Sequence, residues 1–256
     1  MTRPRYLRDW EQFALLDPYF AVLSEERYRA ENRTQETLEQ FFASGSQYVD
    51  FLISEIRRRL DPTFVPRRAL DFGCGVGRLT IPLARMCEEV IAVDASQRMC
   101  SETRGNCERL GLGNVRVLSL PEFLAHSYGS FHLVNSFITF QHIPVAEGER
   151  LYRRLLTAVQ AGGIAALHFV YHRPGSALRT WLAHARGSIP GLHGLANFLQ
   201  HKALRTPYIQ MNPYDLNRIF LHLQSHGFAH AYSRVMDHGG FQGVILLAQR
   251  SVDPVL

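Results

Sequence analysis

The chain has 256 residues, 46% of them apolar and 20% charged, with a mean hydropathy of −0.11. That composition supports one sizeable core and excludes a disordered chain or a protein built mainly of membrane spans. The formal net charge is +5, yet residues 126–256 alone carry 11 basic and 5 acidic side chains together with all 12 histidines. In chain order, the N-terminal sequence MTRPRYLRDWEQF has no apolar leader segment, so a cytoplasmic protein is expected. Residues 1–34 read as short helices lying over something else, with aromatics at Tyr6, Trp10, Phe13, Tyr19 and Phe20. Ser46 to Leu60 reads as an amphipathic helix with Val49, Leu52, Ile53, Ile56 and Leu60 on one face, and Arg57, Arg58 and Arg59 at its end, where cations suit the helix dipole.

From Arg68 the pattern turns to strand–helix alternation, which predicts a mostly parallel sheet covered on both faces. Strands are expected at 69–72, 89–93, 115–118, 131–136 and 164–171. Helices are expected from the turn after Phe72 to Cys87, from Gln97 to Leu110 with Gly111 as the stop, and from Glu147 to Gln160 with Gly162-Gly163 as the stop. Residues 155–172 lack charge, but Gln160, the glycine pair and His168 argue for a helix end, a turn and a strand rather than a membrane span. Residues 172–211 hold Pro174, Pro190, Pro207 and four glycines, and read as an inserted helical lid. Asn212-Pro213-Tyr214-Asp215 reads as the start of a helix with Asn212 as its cap. Two closing strands, 229–236 and 243–248, are joined near Asp237 to Gly240. Cys74, Cys87, Cys100 and Cys107 form no CxxC pair and read as reduced thiols.

The informative motif is Asp71-Phe-Gly73-Cys74-Gly75-Val-Gly77-Arg78, which follows a strand and opens a helix. A dinucleotide site needs a third glycine where Arg78 stands, and the Asp71 carboxylate would repel a pyrophosphate. The same carboxylate would attract an ammonium. Asp94 ends the next strand, where an acidic group reaches a ribose hydroxyl pair. A nucleoside with a cationic amino-acid tail fits this set better than a dinucleotide.

This stretch resembles motif I of the class I S-adenosylmethionine-dependent methyltransferase family. Val93-Asp94-Ala95-Ser96 is similar to that family's ribose-binding loop, and Phe131 to Pro144 to its fourth strand and following loop. The resemblance implies an α/β fold: a doubly wound, Rossmann-like seven-stranded methyltransferase sheet, its last strand antiparallel, with a helical N-terminal cover over 1–64 and the lid over 172–211 within a 65–256 domain. It implies S-adenosyl-L-methionine as cofactor. Carried over position by position, Asp71, Gly73, Cys74, Gly75, Gly77, Asp94, Ala95, Met99, Leu120, Pro121, Asn135 and Phe137 would lie on the cofactor side. Met99 would pack on the adenine. Leu120 stands where the family often has an Asp, which leaves adenine to backbone groups there or to Glu122. Phe41-Phe42-Ala-Ser-Gly45 resembles an N-terminal cover found in some members, or is ordinary helix packing.

The expected reaction is methylation of a small-molecule oxygen, helped by a histidine base with a pKa near neutrality. His142, in the loop after the fourth strand, is the first candidate, with His168 and His172 next. N- or C-methylation, or a binding subunit without catalysis, are the alternatives. No metal is expected, because Asn135-Ser136-Phe137 offers no clustered carboxylates. The loop also lacks the Asn/Asp-Pro-Pro-aromatic motif of enzymes that methylate nucleic-acid amines, which argues against nucleic acid despite a pI near 9.2. Arg173, Arg179, Arg186, Lys202 and Arg205 in the lid, with no acidic neighbour between 172 and 211, suit an anionic or polyhydroxylated acceptor such as an acidic sugar or natural-product intermediate. The oligomeric state stays open, a homo-oligomer included.

Overall fold

The computed structural model describes residues 4–175, 209–238 and 240–252. Residues 176–208, most of the expected lid with Arg179, Arg186, Lys202 and Arg205, lie outside the described residues. The strands are β1 Arg68–Phe72, β2 Glu89–Asp94, β3 Val115–Ser119, β4 Phe131–Ser136, β5 Val159–His172, β6 Phe228–His238 and β7 Phe241–Arg250. They form one sheet in the order β3-β2-β1-β4-β5-β7-β6. The first five run parallel, and β7 pairs antiparallel with both β5 and β6. The strand order reverses beside β1, where an open α/β sheet leaves a crevice at the carboxyl ends of its strands.

Side chains alternate across the sheet, so each strand feeds two cores. Leu70, Ile91, Val134 and Leu167 face one side with helices α7 (Val145–Ala158) and α8 (Leu216–Ser225). Ala69, Val90, Leu133 and Ala166 face the other with α3 (Gln35–Arg59) and α4 (Thr80–Met86). A third cluster joins α1 (Arg5–Leu16) and α2 (Pro18–Val22) to Phe41 of α3 and to Met99 of α5 (Gln97–Arg109). All four cysteines are free and buried.

Four local departures from the sequence reading have physical causes. Helix α3 starts at Gln35 rather than Ser46, because Thr34 and Thr37 form a capping box and Phe41 and Gly45 extend the buried stripe by two turns. Helix α7 ends at Ala158, and β5 begins at Val159 opposite Phe131. The glycine pair marks a register shift inside β4–β5 rather than a helix stop, with Gly162 at φ 74. Ser119 and Glu122 form a second capping box that opens a short helix, α6 (Leu120–Ala125), a stretch for which the sequence reading assigned no element. Helix α8 is capped by Asp215, whose side chain accepts the Asn217 N–H, and not by Asn212.

Gly45 sets how closely α3 approaches the glycine-rich turn. A Cβ there would lie 2.0 Å from the Arg78 carbonyl oxygen, which is backbone and cannot swing aside. Gly45→Ala is expected to lower stability in urea by about 1–3 kcal/mol. Gly105→Ala, on α5 with nothing within 4 Å of the new methyl, is expected to raise it by about 0.5–1 kcal/mol.

Candidate functional site

The turn after β1 is held from the neighbouring strand. The N–H groups of Gly73 and Cys74 both donate to the Val93 carbonyl, at 2.8 and 3.0 Å. Gly73 and Gly75 have φ of 81 and 57, values that L side chains rarely adopt. A Cβ on Gly73 would strike the Thr139 side chain at 2.2 Å, and one on Gly75 would strike Val22 at 2.7 Å. The Asp94 carboxylate is buried at the end of β2. It accepts the Gly75 N–H on one oxygen and the Ser96 N–H on the other, both at 2.9 Å. Burial pushes its pKa up to about 6, against the pull of those N–H groups.

Above this turn opens a cavity with an empty volume of ≈ 850 Å³ counted out to solvent. Its floor is Phe72, Gly73, Gly75, Val93, Asp94, Ala95 and Leu120. One wall is Phe137, Ile138, Thr139, His142 and Ile143 from the segment after β4. The roof is Tyr6, Leu7 and Trp10 of α1 with Ala21 and Val22 of α2, and Arg78 also lines it. Ile138 is a β-branched residue at φ 57, a strained conformation of the kind that gathers at functional sites.

Of the residues singled out by sequence, Gly73, Gly75, Asp94, Ala95, Leu120, Phe137 and His142 come together on this cavity. Others sit elsewhere. Met99 packs under the N-terminal helices, and Pro121 is exposed on α6. Gly77 lies beside Thr103, and the Cys74 thiol is buried against the same threonine. Glu122 does not line the cavity, because its carboxylate accepts the backbone N–H and hydroxyl of Ser119. Asp71 is buried behind the turn, where Thr80 donates to it at 2.7 Å and Asn135 at 3.0 Å. Burial pushes the Asp71 carboxyl up, and those two donors pull it back. His168 is buried on β5, edge-on to Phe137, and His172 is exposed at the strand's end.

The His142 ring stacks on Trp10 with centroids 5.0 Å apart. Its Nδ1 lies 2.9 Å from the Gln210 carbonyl, which can only accept, so Nδ1 carries the proton. Nε2 then holds the lone pair, with the Gln141 amide nitrogen 3.3 Å away. Asn212 donates to the Gln141 and Ile143 carbonyls, and the Tyr214 hydroxyl lies 3.0 and 2.9 Å from the Phe140 and Ile143 carbonyls. The Asn212-Pro-Tyr214 segment thus anchors the turn that carries His142. Sequence reasoning missed Tyr6, Trp10 and Thr139 as cavity residues and Arg78 as more than a missing glycine. The aromatic spacing of α1 was the signal available for Tyr6 and Trp10.

Residues 69–163 match the family model of a methyltransferase domain. The chain is 26% identical over 96 residues to the 23S rRNA (uracil(1939)-C(5))-methyltransferase RlmD of Burkholderia thailandensis, covering 38% of this chain and 21% of that protein. It is 28% identical over 164 residues to the ubiquinone biosynthesis O-methyltransferase of Caulobacter sp. strain K31, covering 60% of this chain and 61% of that one. It therefore spans less than two thirds of the length of either relative. In fold it is similar to magnesium protoporphyrin IX methyltransferase (ChlM) from Synechocystis PCC 6803 with bound SAH, at a TM-score of 0.56 and 22% identity, covering 86% of this chain and 89% of that one. Residues 69–163 thus match a methyltransferase domain, and the fold of the chain is shared with a methyltransferase solved with SAH bound.

The Asp71 carboxylate depends on Thr80 for one of its two side-chain donors. Thr80→Val keeps the shape and removes that donor. It is expected to cost about 2 kcal/mol in urea at pH 7, with less lost in acid, where a protonated Asp71 has less need of it.

Proposed function

We propose that this chain transfers the methyl group of S-adenosylmethionine to an oxygen of a small acceptor, with His142 taking the hydroxyl proton. The cofactor, when bound, supplies a methyl group already activated on a sulfonium. The cavity suits it. Gly73 and Gly75 form a cradle that a Cβ would fill, and the Asp94 carboxylate, which takes the N–H groups of Gly75, Ser96 and Ala95, has lone-pair sites beyond those three for a ribose hydroxyl. Leu120 and Ala95 give the nucleoside end an apolar wall.

What carries the reading is His142 itself. It lines the cavity, and the Gln210 carbonyl favours the tautomer with the lone pair on Nε2, where a substrate hydroxyl would replace the Gln141 amide as donor. A base placed in this way lowers the barrier to oxygen attack, and the roof of α1 and α2 covers the site with aromatic and aliphatic side chains. The likeness to the ubiquinone O-methyltransferase spans 164 residues, against 96 for the rRNA enzyme, which favours a small acceptor. The lid composition over 172–211, basic with no acidic residue, favours an anionic or polyhydroxylated one.

S-adenosylhomocysteine binding, followed by calorimetry, is expected to depend on Asp94. Asp94 titrates near 6, so below that pH the affinity falls by about tenfold per pH unit as the carboxylate takes up a proton, and above it the affinity is level. Asp94→Asn removes that slope. A profile flat from pH 5 to 8 in the native protein contradicts the assignment. In a screen of phenols and sugar acids for S-adenosylhomocysteine release, His142→Ala is expected to lower kcat by about 10²–10⁴-fold while S-adenosylhomocysteine affinity stays within about threefold. An unchanged kcat removes His142 as the base.

A further inference from the structure

Among the described residues, Arg78 is a buried cation with no ion-pair partner. It is 7% exposed and lines the cavity. Its Nη1 donates to the Ser44 hydroxyl at 3.3 Å, its Nε has no hydrogen-bond partner, and it forms no ion pair among the described residues. The nearby anion, Asp71, is committed to Thr80 and Asn135. A second buried donor without a hydrogen-bond partner among the described residues, the Tyr48 hydroxyl, interacts electrostatically with Arg78, and its ring packs 4.1 Å from Phe137 on the cavity wall. Burying a guanidinium unpaired is costly, whereas pairing it with a carboxylate in a dry site is strongly favourable. Arg78 lines the same cavity as Asp94 and Thr139.

From this arrangement we infer that Arg78 is the anchor for the α-carboxylate of the cofactor's amino-acid tail. The inference rests on the cofactor reading above. With the ribose at Asp94, the tail extends over β1 toward Arg78, and the carboxylate becomes the missing counterion. The same charge repels a tail that carries only its ammonium, so Arg78 selects the intact amino acid over a decarboxylated one. The residue that excludes a dinucleotide motif is thereby part of what specifies the tail.

Binding of S-adenosylhomocysteine and of its decarboxylated analogue, S-adenosyl-3-thiopropylamine, separates the possibilities. The native protein is expected to prefer the first by about 10- to 100-fold. Arg78→Met, which keeps the apolar stem, loses that preference by weakening S-adenosylhomocysteine alone and leaving the analogue within about threefold. Arg78→Lys retains part of the preference, and because both ligands are measured on the same variant, a folding defect would weaken both. Equal binding of the two ligands by the native protein overturns the inference and assigns the guanidinium to an acceptor carboxylate instead. So does an Arg78→Met variant that keeps the preference. Failure of the native protein to bind either ligand overturns the cofactor reading and this inference with it.

Discussion

Asp94 takes backbone N–H groups from two loops, Gly75 from the turn after β1 and Ser96, with Ala95 beside it, from the turn after β2. Those bonds lock the glycine-rich turn against the start of α5 and set the floor of the cavity. Burial alone would strip the charge from such a carboxylate, and the N–H groups restrain its pKa to about 6, so it stays ionised at neutral pH. The rest of the site is arranged around this fixed negative point. Beside it the turn has no room for a Cβ at Gly73 or Gly75, and Thr139 and Val22 fill what space is left.

The opposite wall is built from segments far apart in the chain. His142 sits on a short turn after β4, and its position comes from outside that turn. Trp10 stacks on its face, the Gln210 carbonyl holds one nitrogen, and Asn212 and Tyr214 tie down the neighbouring carbonyls. Helix α1 is in turn held to the core by Glu11, whose carboxylate accepts the N–H groups of Gln97 and Arg98 at the start of α5. The roof of the cavity is therefore fastened to the same turn that Asp94 organises.

Local pattern made the sheet and the glycine motif readable in advance, because strand alternation, glycine turns and a strand-end acid are all short-range signals. Strand β4 was expected at the residues where it is found, and β1 and β2 to within one residue. Features set by contacts across the chain were not readable. Asn212 has the sequence look of a helix cap, yet its amide is used on the carbonyls of residues 141 and 143. Met99 lies on the helix that follows Asp94, but its face of α5 is covered by α1 and α2 and it packs there instead. Nothing local distinguishes Arg78 from an exposed arginine. Its burial follows from the approach of α3 at Gly45. The capping box at Ser119 and Glu122 is a short-range signal that is legible in the sequence.

A crystal structure with S-adenosylhomocysteine tests the central claim most directly, since it reports both ends of the cofactor at once. The account predicts the ribose hydroxyls on the Asp94 carboxylate, the amino-acid carboxylate against Arg78, and the sulfur on the side of the cavity that His142 lines. A ligand bound elsewhere, or in this cavity with its ribose away from Asp94, would contradict it.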